Sequence, residues 1–284
     1  MNLIFFDQNR QNLLPFTYSR PIADFRCGIL TLSEKWSKRV DSPKVSYLTE
    51  DYLSEKYPAN YEALNYYING SVLANDELIG ATKLLKAGEL LMDEAMYKVL
   101  SFCSTDKLKY ADFNLADYRK VMFSAPYLCI DNIWDIFAKN GKAIEEDFTL
   151  LTEGRVSQPL GKTCTHIGSQ LFIEEGAKVQ AAILNSTSGP IYIGKNAEIM
   201  EGSVVRGALA MCEGAVLKLA TKIYGPTTIG PHSKVGGEVN NSVLFGYSNK
   251  GHDGFLGNSV LGEWCNLGAD TNVSNLKNNY AEIK

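Results

Sequence analysis

The chain has 284 residues, which suggests two domains, and its hydrophobic content of 45% is enough for a core in each. A net charge of −4, with no basic block, argues against a nucleic-acid partner. No basic segment precedes a long apolar run at the N-terminus, so we expect neither a secretory signal nor a membrane span. Six cysteines without a CxxC pair and three scattered histidines predict a cytoplasmic protein with reduced thiols and no metal site.

The first 150 residues alternate apolar runs with amphipathic segments. Strands are expected at residues 3–6, 45–48 and 66–68, and helices at residues 29–40, 76–85 and 131–148. The second helix should begin after a cap at Asn75 or Asp76, and the third should break at Asn140 and Gly141. Residues 101–127 show no clean period. Strands alternating with helices predict an α/β layer fold with a parallel sheet.

Residues 14–21 read Leu-Pro-Phe-Thr-Tyr-Ser-Arg-Pro, and Pro15, Thr17 and Pro21 share the spacing of a known signature. The segment resembles that of sugar-1-phosphate nucleotidyltransferases. The family's glycine-rich loop holds the nucleotide phosphates through backbone N–H groups, and a lysine neutralises them. Here residues 7–13 contain no glycine, and Ile22 occupies the place of the lysine. The resemblance therefore argues for shared ancestry more strongly than for activity.

Four residues of this part are candidate nucleotide or phosphate contacts: Thr17, Arg20, Arg26 and Asn69. The two arginines could replace the lost positive charge by bidentate contact with phosphate, or they could form structural ion pairs with Asp24 and other carboxylates. Asn69 follows a strand, roughly where the family carries the aspartate that holds Mg²⁺, and an amide binds that cation poorly. We expect Mg²⁺ only if this domain is catalytically active.

Aliphatic residues recur at every sixth position in the second half of the chain: Ile193, Ile199, Val205, Met211, Leu217, Ile223, Ile229 and Val235. A period of six fits neither a helix nor an alternating strand. It is typical of short strands joined by tight turns, three of which close one coil of a solenoid. The alternative is an ordinary antiparallel β domain with accidental spacing. The pattern resembles the hexapeptide repeat of left-handed parallel β-helix transferases, and only that resemblance implies the left hand.

The predicted architecture is an α/β nucleotidyltransferase-like domain with a linker over residues 1–155 and an all-β left-handed parallel β-helix over residues 156–284. The chain stops at Lys284 within repeat-like sequence. Because solenoids usually end in a capping element, we expect either a partner chain over the last coil or a truncated form, and we favour truncation.

The hexads lose their phase between Val239 and Phe255, and we expect an insertion at residues 245–254, where a solenoid often carries functional residues. His252 lies within it. Residues 248–252 (Ser-Asn-Lys-Gly-His) and 266–269 (Asn-Leu-Gly-Ala) are similar in spacing to the acetyltransferase half of one family. That family is the bifunctional N-acetylglucosamine-1-phosphate uridyltransferase/glucosamine-1-phosphate acetyltransferases.

The resemblance implies that His252 is the general base, taking a proton from a sugar amine that attacks the thioester of acetyl-CoA. Asn266 would orient the acceptor or the base. The resemblance also implies a homotrimer with active sites shared between subunits. Phe255 stands where the family has a tyrosine.

The acceptor's phosphate should meet basic side chains. The family has basic side chains at two positions, and here Lys222 retains the positive charge whereas Asn240 does not. The missing charge could be supplied by Lys250, Lys277 or Lys284. Glu238 is a further candidate acceptor contact, with a solvated corner as the alternative.

Three functions remain open from the sequence. The first is an acetyl-CoA-dependent acyltransferase acting on an amino-sugar phosphate or a nucleotide sugar. The second is a sugar-1-phosphate nucleotidyltransferase, or a bifunctional enzyme. The third is a non-catalytic scaffold that binds sugar nucleotides.

Overall fold

A computed structural model describes residues 1–110 and 114–273, which divide into two compact units. The first unit comprises Met1–Phe25 and Leu30–Ile133. The second comprises Arg26–Ile29 and the chain from Trp134 onwards. The sequence-based boundary at residues 155 and 156 falls inside the second unit, and four residues near the N-terminus belong to that unit as well.

The first unit is built on a sheet of six strands: β1 (Asn2–Phe6), β2 (Lys44–Leu48), β3 (Asn65–Asn69), β4 (Glu89–Asp93), β5 (Val99–Ser104) and β6 (Arg119–Phe123). Their order is β2-β1-β3-β5-β4-β6. Neighbouring strands are parallel except around β5, which is antiparallel to both β3 and β4. The prediction of a parallel sheet is corrected here, because the few residues between β4 and β5 allow a hairpin but no crossover.

Two helices of the first unit are shorter than the sequence predicts: α1 (Leu32–Ser37) and α2 (Asp76–Lys83). A capping box between Thr31 and Glu34 starts α1. The cap of α2 is Asn75, whose Oδ1 accepts the Leu78 N–H at 2.8 Å. Single 3-10 turns complete the loops: Arg10–Leu13, Phe16–Tyr18, Ile22–Asp24 and Asp51–Leu53.

The second unit begins with two helices, α3 (Asp135–Ala138) and α4 (Asn140–Thr152). The break lies at Lys139, one residue before the predicted position. Asn140 is fully buried, and its Oδ1 accepts the Gly28 N–H at 2.7 Å and the Thr228 hydroxyl at 3.0 Å. One polar side chain thus joins α4, the segment Arg26–Ile29 and the solenoid that follows.

The solenoid has three parallel faces. The first face holds β7 (Thr165–Ile167), β10 (Ile183–Asn185), β13 (Val204–Arg206), β16 (Lys222–Tyr224), β19 (Glu238–Asn240) and β22 (Phe255–Gly257). The second holds β8 (Leu171–Ile173), β11 (Ile191–Ile193), β14 (Leu209–Met211), β17 (Thr227–Ile229), β20 (Val243–Gly246) and β23 (Val260–Glu263). The third holds β9 (Lys178–Val179), β12 (Glu198–Ile199), β15 (Val216–Leu217), β18 (Lys234–Val235) and β21 (Asn249–Lys250).

All eight aliphatic residues of the hexads lie inside this solenoid, each 2% exposed or less. They stack in register, as Ile199 on Leu217 and Leu217 on Val235 show. Each coil covers the apolar layer of its neighbour, so the prediction of a parallel β-solenoid is confirmed.

The loss of phase comes from a shortened coil. Cα partners are 18 residues apart from Leu209 to Thr227, but 15 apart from Thr228 to Val243. The corner from the third to the first face accounts for two of the three missing residues: it has four residues at 218–221, only Gly236 and Gly237 in the next coil, and four again at 251–254. The third is lost between Asn240 and Val243, where two residues replace the three between Tyr224 and Thr228. The expected insertion at residues 245–254 is therefore wrong: this segment contains β21, in register with β18.

A bidentate ion pair fastens the segment after α4 to the first coil. Arg155 donates to both carboxylate oxygens of Glu174 at 2.9 and 2.7 Å, and the Tyr192 hydroxyl donates to Oε1 at 2.7 Å. Burial alone would raise the pKa of Glu174, but the hydrogen bonds from Arg155 and Tyr192 outweigh it and lower that pKa.

Glu174→Gln should lower the free energy of unfolding at pH 7 by about 1 kcal/mol, a discounted value because Arg155 is half exposed. A carboxylate with a lowered folded pKa stabilises the fold above its unfolded pKa, and the effect is lost as the pH falls through the folded pKa. Denaturant unfolding at pH 7 and near pH 3 should show the difference shrink. The exposed Glu175→Gln is the control, and an equal loss in both variants would contradict the role of the pair.

Candidate functional site

The short corner opens a recess in the solenoid wall. Gly236 and Gly237 lack side chains and form a corner two residues shorter than those on either side. The recess has a volume of about 250 Å³ and is lined by Lys218, Leu219, Gly236, Gly237, Gly251, His252 and Asp253. Residues 251–254, here called the histidine corner, form its lower edge. His252 is exposed there, so its imidazole can meet a molecule from solvent.

A larger cavity lies on the first face. It measures about 690 Å³, and its walls are formed by Ser188, Val204, Arg206, Gly207, Lys222, Ile223, Tyr224, Gly225, Pro226 and Glu238. Successive residues of a strand point to opposite sides. Arg206, Lys222, Tyr224 and Glu238 therefore face outward while Val205 and Ile223 fill the core.

The charges of this cavity suit an anionic and hydroxylated ligand. Arg206 and Lys222 bring two exposed cations, and Glu238 brings one carboxylate beside Lys222 on the adjacent strand. The Tyr224 hydroxyl donates to Glu238 Oε1, and this hydrogen bond raises the pKa of Tyr224. The predicted contacts Lys222 and Glu238 are thus neighbours, and Asn240 is the register partner of Tyr224 on the same face.

Two other predicted residues of the solenoid have different surroundings from those expected. Lys250 is only 2% exposed, and its Nζ donates to two backbone carbonyls, so it is not placed to compensate for Asn240 at a phosphate. Asn266 lies below Asn249 on the third face, and its Oδ1 accepts the Asn249 amide at 2.8 Å. Lys277 and Lys284 lie outside the described residues.

In the first unit, Thr17 and Asn69 are fully buried. The Thr17 hydroxyl donates to the Arg10 carbonyl at 3.0 Å. The amide of Asn69 donates to Gln8 Oε1 and to the Val99 carbonyl, both at 2.8 Å, while its Oδ1 accepts from Ser71. Both side chains therefore hold loops together at the carboxyl ends of β1 and β3.

The two candidate arginines belong to different units. Arg20 is 5% exposed and forms an ion pair with Asp24 at 3.2 Å, which the alternative interpretation of the sequence anticipates. Arg26 is part of the second unit, where its Nε donates to the Phe245 carbonyl at 3.3 Å and its Nη1 to the Ile29 carbonyl. Arg20 thus makes an ion pair within the first unit, and Arg26 bonds backbone carbonyls of the second.

Sequence reasoning missed Arg206, Tyr224 and Lys218. Arg206 and Tyr224 each follow an inward hexad residue, Val205 or Ile223, and so point outward in neighbouring coils. Stacking the hexads and examining the residues beside each inward position would have found both. Lys218 lines the recess that the short corner at Gly236 and Gly237 opens, and the sequence alone did not reveal that this corner is short.

Across residues 1–110 and 114–273, no three or more His, Cys, Asp or Glu side chains are grouped so that they could hold a metal ion. Over the same ranges, the helices are all too short or too polar to cross a bilayer.

A family model described as sugar nucleotidyl transferase matches residues 3–156, more than half of the chain. No curated protein matches the chain at a significant level.

Proposed function

Because the chain belongs to the sugar nucleotidyl transferase family and continues into a parallel β-solenoid, it is a transferase of sugar-nucleotide pathways, and we propose that it transfers an acetyl group from acetyl-CoA to an amino-sugar phosphate or a nucleotide sugar. The observation that carries this proposal is the position of His252. It lines a recess at a solenoid corner, and the first face, which begins at the end of that corner, carries the cavity with Arg206, Lys222 and Glu238.

In the proposed reaction, the amino nitrogen of the acceptor attacks the thioester carbonyl, and His252 takes the proton that this nitrogen loses. The new C–N bond gives a tetrahedral intermediate with an oxyanion, and the C–S bond breaks when the carbonyl forms again. The imidazolium then returns its proton to the departing CoA thiolate. Backbone N–H groups of the histidine corner would stabilise the oxyanion, and Asn266 would orient the acceptor through the amide group that Asn249 holds.

The cavity on the first face would hold the acceptor. Arg206 and Lys222 would bind its phosphate, since cations at a concave surface attract dianionic groups. The Tyr224–Glu238 pair would accept hydrogen bonds from sugar hydroxyls or from the amine.

Lys222→Ala should raise KM for a phosphorylated acceptor about tenfold or more, which corresponds to losing roughly 1.4 kcal/mol of binding, with a smaller effect on kcat. The measurement is initial-rate kinetics of CoA release at varied acceptor concentration. Lys234→Ala, an exposed lysine on the third face, is the control and should leave KM unchanged. Equal KM values for both variants would remove Lys222 from the acceptor site.

The proposal is tested by thermal melting with acetyl-CoA and by CoA release with candidate amino-sugar phosphates and nucleotide sugars. A ligand that binds only the folded state raises the melting temperature by mass action. Melting shifts with acetyl-CoA together with acceptor-dependent CoA release support it. The absence of both a melting shift with acetyl-CoA and CoA release with every acceptor would contradict the proposal. Binding of a sugar nucleotide without turnover would favour a scaffold.

A homotrimer is part of the proposal. Ile183 and Val204 are register partners on the first face and are 44% and 46% exposed, so they form an apolar strip that a second copy of the chain could cover. Sedimentation equilibrium should give three times the chain mass of 31.4 kDa.

The family match favours a second candidate function, transfer of a nucleotidyl group to a sugar 1-phosphate. Mg²⁺-dependent release of pyrophosphate from UTP or dTTP in the presence of sugar 1-phosphates would establish it. Thr17 and Asn69 count against it, because their polar groups are buried and already bonded within the fold.

A further inference from the structure

Lys250 occupies an inward position of the solenoid. It is the register partner of Val235, which follows Leu217 and Ile199 in the coils above. Those three side chains are aliphatic and fully buried, and Lys250 is 2% exposed in the same column. Burying an ammonium group is costly unless hydrogen bonds replace its water, so its partners account for its presence.

The ammonium bonds two corners of adjacent coils. Its Nζ donates to the Gly236 carbonyl at 2.8 Å and to the His252 carbonyl at 2.9 Å. The first carbonyl belongs to the short corner and the second to the histidine corner. Burial lowers the pKa of Lys250, in keeping with an enclosed ammonium.

The coil above shows why a donor is needed at this place. There the carbonyl equivalent to that of Gly236 is the Lys218 carbonyl, which accepts the hydroxyls of Thr221 at 2.7 Å and Ser203 at 3.1 Å. In the short corner the residue in the place of Thr221 is Gly237, which has no hydroxyl to donate. A buried carbonyl requires a partner, and Lys250 from the next coil supplies it.

The two corners are also in backbone contact. Gly237 has φ +73°, and a Cβ there would lie 2.9 Å from Asp253 Cα and 3.0 Å from the His252 carbonyl oxygen. A Cβ on Gly236 would lie 2.7 Å from the Gly251 carbonyl oxygen. The glycine pair therefore lets the histidine corner approach closely, and a hydrogen bond across this contact can fix its position.

We propose that Lys250 is a positioning residue that fixes His252 by bonding its carbonyl to the short corner of the coil above. Its effect on turnover rests on the proposed acyl transfer, whereas its effect on the corner does not. Lys250 touches neither the acceptor nor acetyl-CoA in this role.

The test compares Lys250→Met, which keeps the length of the side chain and removes the ammonium, with the wild-type protein. The reporters are the amides of Glu238 and Asp270, which donate to the Gly254 carbonyl at 3.3 Å and the Asp253 carbonyl at 3.1 Å. The reference is the Val204 amide, which donates to the Thr221 carbonyl at 2.9 Å in the four-residue corner above. Hydrogen exchange resolved to single amides measures all three.

We expect exchange at Glu238 and Asp270 to become about tenfold faster or more, with Val204 within about twofold of wild type. The kcat of CoA release should fall about tenfold with KM for the acceptor nearly unchanged, because a displaced base slows chemistry more than binding. Lys234→Met, the same change at an exposed site, should alter neither.

Unchanged exchange at Glu238 and Asp270 would overturn the proposal, and so would equal acceleration at all three amides, which indicates general loosening. If Lys250→Met does not fold, Lys250→Leu, which also removes the donor and resembles the aliphatic residues of the same column, is compared in the same way. If the wild-type protein releases no CoA with any acceptor, the proposed function fails, and the exchange result still decides the role of Lys250.

Discussion

Replacing His252 with alanine should lower kcat for CoA release by about 10²- to 10⁴-fold, the usual contribution of a general base. Without the imidazole, the proton of the attacking amine has no acceptor at the corner. His252 is exposed, so the fold should be little affected, and the melting temperature should stay within about 1–2 °C of wild type. Initial rates at saturating acetyl-CoA and acceptor are the measurement.

His232→Ala is the matched control for this experiment. His232 is an exposed histidine at a different corner, where its ring stacks on Tyr247 at 5.4 Å between centroids. It should retain full kcat. If both variants keep wild-type turnover, acyl transfer does not use His252, and if both lose it equally, the loss reflects a change in the fold.

Leu217→Ala should lower the free energy of unfolding by about 2–5 kcal/mol, because it opens a cavity in a closely packed interior. Leu217 is fully buried and lies in register between Ile199 and Val235. Each coil of a solenoid contacts only its neighbours, so the loss of one side chain weakens both interfaces that it forms. The urea midpoint of the solenoid transition is the measurement.

The control is two residues away. Leu219 is 64% exposed, and Leu219→Ala removes the same atoms from a solvated position. Its effect should stay within about 0.5 kcal/mol. Similar midpoints for the two variants would mean that the column of aliphatic residues does not stabilise the solenoid.

The solenoid could be predicted because its period reports directly which side chains point inward. Ile193 to Val235 keep one phase, and each is buried. The shortened coil could not be predicted in the same way. A deletion of three residues and an insertion of three residues both shift a six-residue period by half a repeat. The phase alone therefore could not distinguish a deletion from an insertion. Gly236 and Gly237 indicated where the repeat changes, but not whether residues were lost or gained there.

Lys250 shows what the lost phase concealed. In the new phase Leu244, Lys250 and Leu256 are six apart, so Lys250 falls on the inward column. Treating residues 245–254 as an insertion removed that column and made the lysine look like a surface residue. Lysine is so rarely buried without partners that only the corner carbonyls explain it.

In the first unit, β1, β2 and β3 were predicted, whereas β4, β5 and β6 were not. β6 and most of β5 lie within residues 101–127, where the polarity is mixed and no clean period is present. The candidate phosphate contacts had a different problem. Motif spacing identified Thr17, and its place after a strand identified Asn69, but neither tells whether a side chain faces a ligand or the backbone. The structure shows that both face the backbone.

The segment Arg26–Ile29 has a consequence for the biosynthesis of the protein. It is translated about 200 residues before the residues that it contacts: Gly28 accepts a hydrogen bond from Thr228, and Arg26 donates to Phe245. These contacts cannot form until most of the solenoid has left the ribosome, and closing so long a loop carries an entropic cost. A solenoid expressed from residue 156 would lack both this segment and α4, leaving Phe172 and Tyr192 uncovered on its second face. The repeats thus depend for completion on a segment that is translated about 200 residues before them.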